Sequence, residues 1–147
     1  MRKLFVIAAL FLTSCDMAEK RHVVGNYYIV AADVREQMSL DYHTKEDGAN
    51  YGTIIDNTVF AVGCNDKYII VKQHPTVNED IHLNDTSKPT KTSSNQADKT
   101  RTNYYIVPVE DYYRPNLAPL NEYQFKQQRK KLGIENIQFT IVYKDLE

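Results

Sequence analysis

Three short runs of Tyr, Ile and Val set the pattern of this chain. Asn26-Tyr27-Tyr28-Ile29-Val30 recurs identically as Asn103-Tyr104-Tyr105-Ile106-Val107, and more loosely as Lys67-Tyr68-Ile69-Ile70-Val71. Branched and aromatic side chains pack well on a pleated surface, so all three runs predict strands. They lack a fixed period, which excludes a solenoid; similar strands in similar surroundings explain the echo. Thr58 to Gly63 runs into Asn65-Asp66 and out through Lys67 to Gln73. Asn and Asp tolerate the positive φ of a tight turn, so this is a hairpin. A loop at 65–66 would pair Val62 with Ile69 and Phe60 with Val71. Both faces are apolar, which places the hairpin centrally, and His74-Pro75 stops its second strand. A weaker strand is predicted at Met38 to His43, after the polar Asp33 to Gln37.

Towards the end of the chain the period changes. Asn121 with Gln124 three residues on forms a capping box, and Leu120 and Phe125 take the staple positions around it. Phe125 and Leu132 share a face, with the stem of Arg129 between them. Cations gather in the last turn, where the helix dipole favours them, and Gly133 suits the left-handed position after the helix. Ile137, Phe139, Ile141 and Tyr143 then alternate with polar or smaller residues, as in a half-buried strand. Residues 84–102 hold no hydrophobe but Ala97, and predict a mobile surface loop. The expected fold is α+β: one antiparallel sheet of five or six strands with one C-terminal helix packed on a face.

The first residues read as an address. Arg2 and Lys3 precede an unbroken apolar run, Leu4 to Leu12. Nine residues are too few to span a bilayer, which needs roughly 20, but suit a secretory signal. Leu12-Thr13-Ser14-Cys15 resembles the lipobox of bacterial lipoproteins. The resemblance implies cleavage before Cys15, a diacylglyceryl group on its thiol, and a new amine open to acylation. The expected organisation is a signal peptide over 1–14, a lipidated tether over 15–23, and one domain over 24–147. The expected address is the bacterial envelope, periplasm-facing, with inner and outer membrane both open.

Composition narrows the functions. The 147 residues carry 18 Lys plus Arg against 19 Asp plus Glu, so no basic excess draws the chain to nucleic acid. Of the two Cys, one is spent on the lipid, which leaves Cys64 without an intramolecular partner. No Gly-x-Ser-x-Gly elbow, phosphate loop or paired metal motif occurs, so no catalytic residue, metal or cofactor is assigned. Glu79, Asp80, His82 and Asp85 are too loosely grouped to predict a metal site. Tyr112, Tyr113 and Arg114 form a candidate binding patch, since Tyr and Arg are enriched at interface hot spots. His74, where a strand ends, is a second candidate. The strand tyrosines offer either packing or an exposed aromatic strip.

Thr58 to Gly63, Asn65 to Ile70 and Gln73-His74-Pro75 resemble the signature of a small bacterial lipoprotein family of unknown function. Asn103 to Val107 and the helix through Phe125, Arg129, Leu132 and Gly133 match its second half. The resemblance implies a lipid-anchored envelope protein and supplies no activity, cofactor or site residue. The preferred reading is a non-catalytic binding module with a protein or cell-wall partner. An inhibitor or immunity-type lipoprotein and a small envelope hydrolase are the alternatives, so the enzymatic question stays open. A loop shaped to enter a cleft would favour the first alternative, and a pocket with converging carboxylates or His74 the second.

Overall fold

A computed structural model describes residues 19–43, 50–76, 96–110 and 117–147. Among these residues eight strands run in chain order: β1 (Glu19–Val24), β2 (Tyr27–Ala31), β3 (Ser39–His43), β4 (Asn50–Ile55), β5 (Val59–Cys64), β6 (Tyr68–Gln73), β7 (Asn103–Pro108) and β8 (Ile141–Val142). The helix α1 (Glu122–Leu132) lies between β7 and β8. The strands form two antiparallel four-stranded sheets, ordered β1-β2-β3-β4 and β7-β6-β5-β8.

This corrects the expected single sheet of five or six strands with a helix on a face: the domain is mostly β, in two sheets. The physical reason lies in the apolar rows. Tyr27, Ile29, Leu40, Tyr42 and Ile55 from the first sheet share one buried core with Val62, Ile69, Val71, Tyr105 and Val107 from the second. Stacked sheets bury both rows against each other. A single sheet would have left its apolar face to one helix of 11 residues. Bonds also cross between the layers, from Val59 N–H to the Met38 carbonyl (2.8 Å) and from the Tyr27 hydroxyl to the Pro108 carbonyl (3.1 Å).

The repeated pentapeptide shows how context selects a face. In β2, Tyr27 and Ile29 enter the common core; in β7 it is Tyr105 and Val107. The phase is inverted. The outer face of β7 has its own cover, because Tyr104 and Ile106 pack with Ile70 of β6 and Phe125 of α1 in a second cluster. An identical sequence can turn either way where both faces are apolar.

The β5–β6 hairpin is central, as its two apolar faces require, but its register differs by two residues. Val62 pairs with Val71 and Cys64 with Ile69. Asn65 and Tyr68 close the turn, with Asn65 N–H donating to the Tyr68 carbonyl (3.0 Å). The Asn65 side-chain oxygen accepts from the N–H groups of Lys67 (2.9 Å) and Tyr68 (2.8 Å). This Asx turn moves the loop to Asp66-Lys67. A shift of two keeps Val62, Gly63 and Cys64 on their predicted faces, but a bulge between Val59 and Ala61 breaks the alternation at Phe60, whose ring stacks on His74.

Helix α1 begins and ends where its caps say. Both bonds of the Asn121–Gln124 capping box are made, and Gly133 closes the helix at φ +67°. The last segment alternates in burial from Ile137 to Tyr143, yet only Ile141–Val142 pair as a strand.

Two boundaries differ from the sequence reading. Glu19 to Val23, read as tether, belong to β1. Residues 84–95 of the polar stretch lie outside the described residues, whereas 96–102 are seated at the end of β6. There Ala97 bridges Thr76, and Asp98 N–H donates to the Pro75 carbonyl (2.8 Å).

Candidate functional site

Of the sequence-predicted site residues, only His74 lies within the described residues. Cys15, Tyr112, Tyr113 and Arg114 lie outside them, as do Glu79, Asp80, His82 and Asp85.

His74 is walled in. Its backbone N–H donates to the Thr58 carbonyl (3.1 Å), and its ring stacks on Phe60 with centroids 4.3 Å apart. Nδ1 lies 2.8 Å from the Arg101 carbonyl, which can only accept, so Nδ1 carries the proton. Nε2 is buried without a partner. Next to it, Gln73 donates to the carbonyls of Asp56 and Asn57 (2.6 Å each). Its oxygen accepts from the Tyr105 hydroxyl (2.9 Å) and the Asn103 amide (3.3 Å). These residues clamp the end of β6 to its surroundings. The Gln73 amide is spent on backbone and on neighbouring side chains, whereas His74 keeps one buried ring nitrogen, Nε2, without a partner.

The outer face of the first sheet is different. Pairing places Lys20 and His22 of β1, Tyr28 of β2, and Ser39, Asp41 and His43 of β3 on the side away from the core. Tyr28 is the hub. Lys20 Nζ stands 4.7 Å from its ring centroid, and the His22 and His43 rings flank it at 5.1 and 5.0 Å. Lys20 Nζ is 3.3 Å from His43 Nδ1. An ammonium can only donate, so His43 is neutral here and its proton sits on Nε2. That nitrogen is buried without a hydrogen-bond partner. Ser39 Oγ donates to Asp41 Oδ1 (2.8 Å), and both residues are buried. Lys20 and His22 are exposed. The strip thus runs from two solvent-facing cationic or ionisable groups, over a half-buried ring, to a buried imidazole.

Burial, followed by the Lys20 charge, holds the His43 imidazolium below its ordinary range, while Asp41 acts in the opposite sense. The unfolded chain then takes up this proton at a higher pH than the folded one. Stability from this residue is present above the ordinary histidine pKa of about 6.5 and is lost as pH falls through it. Urea midpoints should therefore fall between pH 7 and pH 5, and His43→Gln should flatten that slope. An unchanged slope in the variant would contradict the assignment.

This strip was available to sequence reasoning. Ser39, Asp41 and His43 alternate with Leu40 and Tyr42, which is a strand with one polar face. The link to Lys20 and His22 was not, because those residues read as tether. Among the strand tyrosines, Tyr27 and Tyr105 are core residues, whereas Tyr28, Tyr68 and Tyr104 are half-buried. Of these three, Tyr28 alone lies outside the two cores, since Tyr68 and Tyr104 pack against the helix-side cluster of Ile70, Phe125, Ile134 and Ile137.

Two open grooves are also found among the described residues. One, about 400 Å³, lies between Arg101–Asn103 and the start of α1 at Leu120–Gln124. The other, about 330 Å³, lies between the Asn65–Tyr68 turn and Leu132–Ile134. Cys64 is free, and burial, followed by Asp66, pushes its thiol pKa up, which makes it a poor nucleophile. Among the described residues no three His, Cys, Asp or Glu side chains gather as metal ligands. No helix among them is long and apolar enough to cross a membrane.

The fold and strip define a small two-sheet domain with a polar, aromatic-centred outer face. The chain belongs to a family described as protein of unknown function, DUF3997, which matches residues 24–146. No curated protein and no solved structure matches it.

Proposed function

We propose that this is a lipid-anchored bacterial envelope protein, attached through Cys15, that works as a non-catalytic binding module. The contact surface is the outer face of its first sheet, and the partner is an acidic protein or cell-wall component. The observation that carries the binding role is the Lys20–Tyr28–His43 strip. A cation and a ring held together supply charge and a rigid apolar area at little entropic cost. The lipobox at Leu12–Cys15 supports the anchor, since two or more acyl chains hold a protein durably at a bilayer. Purified cell-wall sacculi, which present peptide carboxylates, serve as the probe. The mature protein in detergent should cosediment with them, and Lys20→Glu should weaken that binding by about fivefold or more, in line with loss of one well-placed charge contact. Lys20 is exposed, so the substitution opens no cavity in the core, and an unchanged urea midpoint at pH 7 checks that the variant keeps its fold. Equal cosedimentation of the two proteins, or none by either, would overturn this choice of surface and partner.

A further inference from the structure

We propose that one end of the sandwich rests against the lipid headgroups: the end formed by Glu19, Val34, Arg35, Lys99 and Asp145. This deepens the reading above and rests on lipid attachment at Cys15. Only Asp16, Met17 and Ala18 separate that residue from Glu19, where β1 begins. Four residue steps reach at most about 14 Å at 3.3–3.6 Å each. That is less than the length of β1 itself, whose six residues extend about 20 Å. The domain therefore cannot stand off the bilayer or tumble freely above it.

The strand's starting end fixes which surface meets the lipid. Glu19 pairs with Ala31, so the exposed stretch Ala32 to Glu36 lies at the same end. Arg35 joins Glu19 (3.6 Å) to Asp145 (3.1 Å), and Lys99 Nζ donates to the Asp145 carbonyl (3.2 Å). Val34 is 44% exposed beside them. Interspersed charges of both signs around an exposed aliphatic side chain suit the zwitterionic headgroup layer. The other end of the sandwich, where Cys64 reaches the Val23 carbonyl and the Asp66-Lys67 turn projects, faces away. The polar strip then stands upright from the membrane, with its β1 members Lys20 and His22 open to the side.

The test uses the natively processed protein in a Cys64→Ala background, with a fluorophore on Val34→Cys or Asp66→Cys. The vesicles are phosphatidylcholine with a fraction of spin-labelled headgroups. Quenching at position 34 should exceed that at position 66 by at least twofold. Inserting twelve Gly/Ser residues between Ala18 and Glu19 should abolish the difference. Equal or reversed quenching, or a difference that survives the insertion, would overturn the proposal while leaving the anchor intact. An N-terminal peptide mass showing Cys15 unmodified would instead remove the anchor, and the proposal with it.

Discussion

Gly63→Ala is expected to be the most damaging small substitution in the described domain. A Cβ at this position would lie 1.9 Å from the Gln138 carbonyl oxygen and 2.7 Å from its carbon. Both are backbone atoms, so no side-chain rotation relieves the clash. Thr140 N–H donates to the Val62 carbonyl (3.0 Å) and Tyr143 N–H to the Phe60 carbonyl (2.8 Å), which pins this segment against β5. Glycine is required here for close approach, not for an unusual φ. Forcing the segment away loosens Ile137 on one side and Ile141 and Tyr143 on the other, all of them buried. The expected loss is about 3 kcal/mol, at the upper end for overpacking. It would be read from urea unfolding followed by tyrosine fluorescence. Gly133→Ala gives the scale: nothing lies within 4 Å of its added Cβ, and only the positive φ opposes it. It should cost about 1 kcal/mol. Similar losses for the two variants would show that the segment does not pack tightly on β5.

Arg129→Ala is expected to come next. Sequence periodicity shows only that its stem lies between Phe125 and Leu132. In the fold its guanidinium ties down the chain that leaves the helix. Nη2 donates to the carbonyls of Ile134 (3.2 Å), Glu135 (2.6 Å) and Ile137. The guanidinium carbon stands 5.3 Å from the centre of the Phe125 ring. Ile134 and Ile137 are buried members of the helix-side core, so the same bonds seat their side chains. Removing the fork leaves carbonyls short of donors, at an expected cost of about 2 kcal/mol. Arg129→Lys should recover less than half, because an ammonium has neither the planar reach nor the stacking surface. Amide exchange over residues 134–140 should accelerate in both variants. Full rescue by lysine would mean that charge alone matters there.

The two positions show which parts of this fold were legible in the sequence. Signals that act within one turn read through: Asn121 and Gln124 marked the start of α1, Gly133 its end, and Asn65-Asp66 the hairpin. The hairpin register was out by two because the Asn65 side chain satisfies two backbone donors and moves the loop by one residue. What depends on distant partners did not read through. β1 is an edge strand, Glu-Lys-Arg-His-Val-Val, and an edge needs a neighbour on one side only, so charged residues suit it. β4 contains Gly52 and lacks clean alternation, and it pairs only because β3 offers a ladder. The partition into two sheets is not written in any one strand; it follows from the sum of apolar rows that must be covered. The same blindness hid the polar strip, since its Lys20 and His22 come from the unrecognised strand. His74, by contrast, was flagged by its place at a strand end, and there its ring is buried, stacked on Phe60 and bonded to the Arg101 carbonyl.

The central claim is that the chain is held at a bilayer by lipid on Cys15, with its β domain starting four residues later. Mass spectrometry of the native membrane-extracted protein tests it most directly. Loss of the first 14 of the 147 residues would leave a 133-residue chain beginning at Cys15. The account predicts that start, with a mass above that of the sequence by a diacylglyceryl group and any amide-linked acyl chain. A chain beginning at Met1, or one beginning at Cys15 with a bare thiol, would contradict it.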